Sequence, residues 1–181
     1  MKTPEAIVAL YESFGSHFYS EEISQVDHAV QAAMLAQSNS ESKELVLAAL
    51  LHDIGHLVHL QALGNGEAHF SQDLRHEVVA ADVLAGLLPN SVISPIRWHV
   101  AAKRWLCTTE SGYLASLSRA SVESLHFQGG IMTSSECAQF AEKGGFVDAI
   151  QLRRWDDEAK VVGIITDPIG EFRRLLAANW I

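Results

Sequence analysis

Apolar residues recur at three- and four-residue spacing along most of this 181-residue chain, and no segment reads convincingly as a strand. That period predicts α-helices. Ile7, Val8, Leu10, Tyr11 and Phe14 form the first stripe, with Pro4 where a first helical turn tolerates it and Gly15 ending the segment. A second helix carries Val26, Val30, Ala33, Met34 and Ala36. Ser38-Asn39-Ser40-Glu41-Ser42 reads as a turn and an N-cap cluster. Residues 43–53 form a third helix, apolar on every side after Glu44, which predicts a buried central element. Gly55 is read as its end and Leu63-Gly64-Asn65-Gly66 as a loop. Two longer helices are expected over 73–88, bounded by Pro89-Asn90, and over 91–106, with Pro95 in its first turns. Shorter ones follow at 112–117, 118–125, 134–144 and 146–155, punctuated by Gly129-Gly130 and Gly144-Gly145, and a last one at 168–179. With no repeat and no linker, the expectation is all-α: a single compact helical bundle over residues 1–181.

Composition narrows the partners. Hydrophobic residues make up 48% and charged residues 19%, ordinary for a globular domain. A net charge of −9 with no Lys/Arg block argues against a nucleic-acid groove. Cys107 and Cys137 lie far apart and outside any C-x-x-C pattern, as expected of a reducing compartment. The N-terminus runs straight into an amphipathic segment without a signal-peptide core. No apolar run is read as approaching the roughly 20 residues of a membrane span. A cytoplasmic protein with no membrane partner is the expectation.

Candidate chemistry is concentrated at His52-Asp53, where the apolar third helix ends. Neighbouring residues on a helix point about 100° apart, so one can grip a metal ion while the other leans toward a second. A carboxylate has two oxygens and can bridge both ions. His28, His76, His99 and Asp156 fall on other helices at positions that should face inward. Six ligands are too many for one catalytic ion that keeps an open position, and about right for two ions sharing Asp53. Imidazole and carboxylate donors suit iron, manganese or zinc, and the lack of thiolates disfavours a structural zinc site. His17, His59, His69 and His126 are read as ordinary packing or surface histidines.

The ordered pattern H…HD…H…H…D resembles the HD-domain superfamily, and His76 and His99 resemble its subset with two metals. His99-Val-Ala-Ala-Lys103-Arg-Trp, Ser121, Phe127-Gln128-Gly129-Gly130 and Arg153-Arg-Trp-Asp156 are similar to the PhnZ-type phosphonate oxygenases, over residues 22–160. The resemblance implies a mixed-valent Fe(II)/Fe(III) pair that uses dioxygen to cleave a carbon–phosphorus bond. It implies that His28, His52, Asp53 and Asp156 hold one iron, with Asp53 bridging, and that His76 and His99 complete the other. His56 and Lys103 would be catalytic. Lys103 lies one turn after His99 and Arg153 three residues before Asp156, each on its partner's face, and an arginine fork suits phosphonate oxygens. His56, three residues after Asp53, could donate to the same oxygens, with Ser121 and Gln128 as further polar contacts.

Enzymes of this type carry a Tyr-x-x-Glu element before the first histidine. Counted back from His28 without a gap, its positions hold Phe18 and Glu21; shifted by one, Tyr19 and Glu22. Both registers stay open, and Tyr19 and Glu21 are taken as substrate contacts. The implied substrate is a 1-hydroxyphosphonate with either a trimethylammonium or a primary amine, yielding phosphate with glycine betaine or glycine. The trimethylammonium compound is the leading expectation, since the aromatic faces of Phe18, Tyr19, Trp98 and Trp105 could hold a quaternary cation. Two rivals stand beside this reading: an HD-type metal-dependent phosphohydrolase, and a non-catalytic helical module.

Overall fold

Side-chain caps mark where the apolar stripes begin. Thr3, Ser24, Ser42, Ser118 and Thr133 each accept the backbone N–H three residues on, opening a helix. At Thr133, Glu136 answers with its own carboxylate, completing a capping box. A computed structural model describes residues 2–18, 22–39, 42–64, 74–164, 169–170 and 172–181. The helices are α1 (Pro4–Phe14), α2 (Gln25–Ser38), α3 (Lys43–Leu51), α4 (Ile54–Leu63), α5 (His76–Leu84), α6 (Asn90–Thr109), α7 (Tyr113–Ser116), α8 (Arg119–Phe127), α9 (Ser134–Ala141), α10 (Phe146–Glu158) and α11 (Phe172–Ala178). Among the described residues there is no strand, and the only β pairings are isolated bridges, Phe18 to Ser24 and Ala85 to Leu88. The all-α expectation holds.

The central helix is as buried as its composition demands: every residue from Leu45 to Leu51 is inside. Its end differs from expectation. α3 stops at Leu51, the chain turns through His52 and Asp53, and α4 starts at Ile54, so Gly55 lies inside a helix. The reason for glycine is contact. A Cβ there would sit 2.1 Å from the carbonyl oxygen of His76, so α4 and the start of α5 touch backbone to backbone. Together 43–63 is also longer and more apolar than expected: an 18-residue window within it averages a hydropathy of 1.3. The turn at His52-Asp53 divides it, and 72% of that window is buried inside the protein, as befits a core element.

Other boundaries shift for local reasons. α5 is shorter than 73–88 because the chain leaves the helix at Ala85 and turns at Gly86, whose φ of 75° suits glycine; residue 73 lies outside the described residues. α6 and α10 each run three residues past their expected ends, which puts Asp156 and Asp157 in the last turn of α10.

Two apolar clusters result. The larger joins α1–α6, α10 and α11 around Leu47, Leu50, Leu51, Ile54, Leu57 and Ile96, all essentially inaccessible. A smaller one gathers Ala102, Met132, Phe140 and Ala149, with Trp98, Trp105 and Phe146 packed against them. The inner faces of α2, α5, α6 and α10 meet at the α3–α4 turn, where the polar residues are buried.

Candidate metal centre

His28 comes from α2, His52 and Asp53 from the α3–α4 turn, His76 from the first turn of α5, His99 from α6 and Asp156 from the last turn of α10. All except Asp53 are at least nine-tenths buried. Asp53 divides its oxygens between two sides. Its Oδ2 lies 3.6 Å from both His28 Nε2 and His52 Nε2, while its Oδ1 lies 3.3 Å from His76 Nε2 and 3.7 Å from His99 Nε2. Two groups of donor atoms follow, His28–His52–Asp53 and Asp53–His76–His99, each spanning less than 4.8 Å. Asp156 joins the first, 3.4 Å from His28 Nε2 and 3.9 Å from His52 Nε2.

The rings are oriented from behind. His28 Nδ1 donates to Ala159 O (2.7 Å), His52 Nδ1 to Ala49 O (2.8 Å) and His99 Nδ1 to Ile96 O (2.7 Å). A carbonyl only accepts, so Nδ1 carries the hydrogen and a neutral ring presents its Nε2 lone pair to the centre. Yet His28 Nε2 stands 3.2 Å from His52 Nε2, and His76 Nε2 3.1 Å from His99 Nε2. Nitrogens this close need a positive charge between them, a proton held on one ring or a metal cation, and the two groups of His and Asp donor atoms around them can take a cation each. The donor set therefore fits two metal ions.

Protonation follows the same geometry. Burial, with neighbouring rings, pulls His99 down to about 3, and burial also lowers His52, so both stay neutral. For His28 and His76 burial pulls down too, but the nearby carboxylates, Asp156 and Asp53 respectively, outweigh it and raise both. Burial pushes Asp53 and Asp156 upward, but the surrounding histidines hold Asp53, and Arg153 with His28 holds Asp156, well below the ordinary carboxylate range.

A cleft of about 570 Å³, its open mouth included, leads to the centre. His56, Lys103, Ser121, Gln128 and Arg153 all line it. His56 stacks on His76 at 4.0 Å, and burial followed by the His76 charge keeps it neutral. Lys103 is 2% exposed and donates to Ser124 Oγ (2.7 Å) and Ser121 O (3.4 Å); burial, then the Arg153 charge, lowers its pKa to about 7. Arg153 donates to Asp156 Oδ2 (2.6 Å) and Ser121 Oγ (3.4 Å), and its side edge is taken by Asp157. Gln128 turns a buried Oε1 inward that has no hydrogen-bond partner among the described residues.

Some expected contacts fall elsewhere. Trp98 and Trp105 pack on Phe140 and Phe146 in the smaller cluster, so they form no cage at the cleft. Phe18 is 67% exposed and shares a separate groove with Glu22. Tyr19 and Glu21 lie outside the described residues. Conversely, the cleft wall includes Gln25, Ser124 and Lys160, which the sequence reading passed over. Lys160 donates to Ser121 Oγ (3.0 Å) and lies 4.0 Å from Asp156 Oδ1. Its signal was spacing: four residues after Asp156, as Gln25 is three before His28.

The chain matches the HD domain model over residues 26–124. It is 43% identical over 176 residues to a hydroxymethylphosphonate dioxygenase of Gimesia maris, covering 94% of this chain and 87% of that protein. It is 35% identical over 157 residues to a [1-hydroxy-2-(trimethylamino)ethyl]phosphonate dioxygenase (glycine-betaine-forming) of Leisingera caerulea, covering 86% and 79%. An uncharacterized protein of Acanthamoeba polyphaga mimivirus is 34% identical over 174 residues, covering 94% and 78%.

Proposed function

Because this chain belongs to the HD-domain family, among its PhnZ-like phosphonate oxygenases, we propose that its substrate is hydroxymethylphosphonate or a similarly small 1-hydroxyphosphonate. The observation that carries the choice is the makeup of the cleft. Three cations, Lys103, Arg153 and Lys160, converge on one neutral residue, Ser121, which suits a doubly charged phosphonate head. Among the described residues no phenylalanine, tyrosine or tryptophan lines the cleft, and its two carboxylates, Asp53 and Asp156, are turned to the histidines. Among the described residues of the cleft, no aromatic face or spare carboxylate is placed to hold an ammonium group. That speaks for the smaller substrate over the trimethylammonium one.

His28, His52, Asp53 and Asp156 would hold one iron, and His76 and His99 the other, with Asp53 shared. When bound, an Fe(II)/Fe(III) pair supplies dioxygen activation and oxidation of the carbon bearing the hydroxyl. The chain's own residues do the rest. Lys103 and Lys160 fix the phosphonate head and, with Arg153, offset its charge, leaving the hydroxymethyl end toward the histidines. His56, kept neutral against His76, lines the cleft beside the histidines and carries no charge that would compete with the metals. Gln128 and Val100 complete the lining of the cleft. The balance is hydroxymethylphosphonate dianion plus O2 giving formate, hydrogen phosphate and a proton. Carbon keeps its hydroxyl oxygen and gains a second as the C–P bond breaks.

The test is oxygen uptake alongside phosphate and formate release by the iron-loaded protein. Hydroxymethylphosphonate and the amino and trimethylammonio compounds are supplied separately. Equal amounts of oxygen consumed and phosphate formed from hydroxymethylphosphonate, with kcat/KM at least about tenfold above the other two, is the expected result. Preference for an ammonium compound overturns the substrate assignment. Phosphate without oxygen uptake moves the function to the phosphohydrolase reading.

A further inference from the structure

Arg153 was expected to meet the phosphonate with a two-pronged fork, but its donors are otherwise engaged. A guanidinium has five N–H groups. The Nε–H points at Tyr113 Oη (3.2 Å) and Asp157 Oδ2 (3.3 Å). One Nη2–H goes to Asp157 Oδ1, so the side edge of the guanidinium is gripped by that carboxylate. The other Nη2–H faces Ser121 Oγ (3.4 Å), and one Nη1–H goes to Asp156 Oδ2 (2.6 Å). A single Nη1–H is left.

Tyr113 completes the arrangement. Its hydroxyl donates to Asp157 Oδ2 at 2.5 Å while accepting from Arg153 Nε. Tyr113 is 6% exposed and Arg153 3%, while the Asp157 side chain that joins them keeps 20% of its surface exposed. Asp156 and Asp157 sit three and four residues after Arg153, so α10 itself presents both carboxylates to one guanidinium. Tyr113 reaches in from α7 and sets which edge each one receives. With its Oδ2 tied to Arg153, Asp156 leaves Oδ1 toward His28 Nε2 at 3.4 Å.

We propose that Tyr113 and Asp157 are positioning residues: they clamp the side edge of Arg153 so that it orients Asp156 toward the metals, and substrate receives little more than one N–H from it. This rests on the reading above that Asp156 is a metal ligand. Partners of metal ligands typically change metal affinity or activity about 10- to 100-fold when removed. Phosphonate recognition then falls mainly to Lys103 and Lys160.

Tyr113→Phe removes the phenol with little change of shape, and Asp157→Asn weakens the grip without removing it. Two quantities are read on the iron-loaded protein: iron retained per chain against increasing chelator, with no substrate present, and KM for hydroxymethylphosphonate. Expected is iron loss at roughly tenfold lower chelator than the wild type in at least one variant, with KM within about threefold. A KM raised about tenfold or more assigns the network to the phosphonate and overturns the proposal, as does wild-type iron retention in both variants. Absence of turnover in the wild type would sink the substrate reading, while iron retention still decides the role of the clamp.

Discussion

Lys103 shows how one residue's surroundings set a working range. Its ammonium lies in the protein interior against two serines, with the Arg153 charge nearby, and these lower its pKa to about 7. The phosphonate head gains most from the protonated form. As pH rises through about 7 the free protein loses that charge, so KM for the substrate is expected to climb on the alkaline side while kcat changes less. Lys103→Arg keeps its charge across this range, so a kcat/KM profile should lose that alkaline limb even if its absolute value drops. A limb that persists unchanged in the arginine variant would assign it to another group.

Among the helices, Gly55 has the largest leverage for its size. A methyl group there meets the carbonyl of His76 at 2.1 Å, and neither backbone can swing aside as a side chain would. Gly55→Ala is expected to cost at least about 2 kcal/mol, through displacement of α5 and the His76 at its start. Thermal melting with and without iron checks it: the variant should melt lower and gain less from iron than the wild type. The same glycine explains what the sequence concealed. A glycine after an apolar helix reads as a stop, so α4 was not anticipated, although its stripe of Leu57 and Leu60 belongs to the core. The buried α3 was legible from apolar character on every side, and the gathering of His28, His52, Asp53, His76, His99 and Asp156 from the His-Asp pair at its end and the matching residues on other helices. Lys160, Ser124 and the packing of Trp98 and Trp105 were not. They depend on which helix lies opposite, and a single sequence does not contain that.

At the scale of the molecule, four helices and the α3–α4 turn bring six candidate donors to one point, so the centre ties the bundle together. Ions that bind the folded chain and not the unfolded one stabilise it by mass action, about 4 kcal/mol at a thousandfold excess over Kd. For a chain of this length the melting temperature is expected to rise by roughly 10 °C on iron loading and to return on chelation. A scan that is indifferent to iron would mean that the donors are held in place by packing alone.

The convergence of Lys103, Arg153 and Lys160 on Ser121 has a kinetic side. Hydrogen phosphate, the product of the proposed reaction, would carry the same double charge and nearly the same tetrahedral shape as the phosphonate head it came from. A seat built from charge and hydrogen-bond donors separates the two poorly. Whatever grip draws substrate in would also delay the departure of product, so turnover in this cleft is expected to slow when phosphate is added.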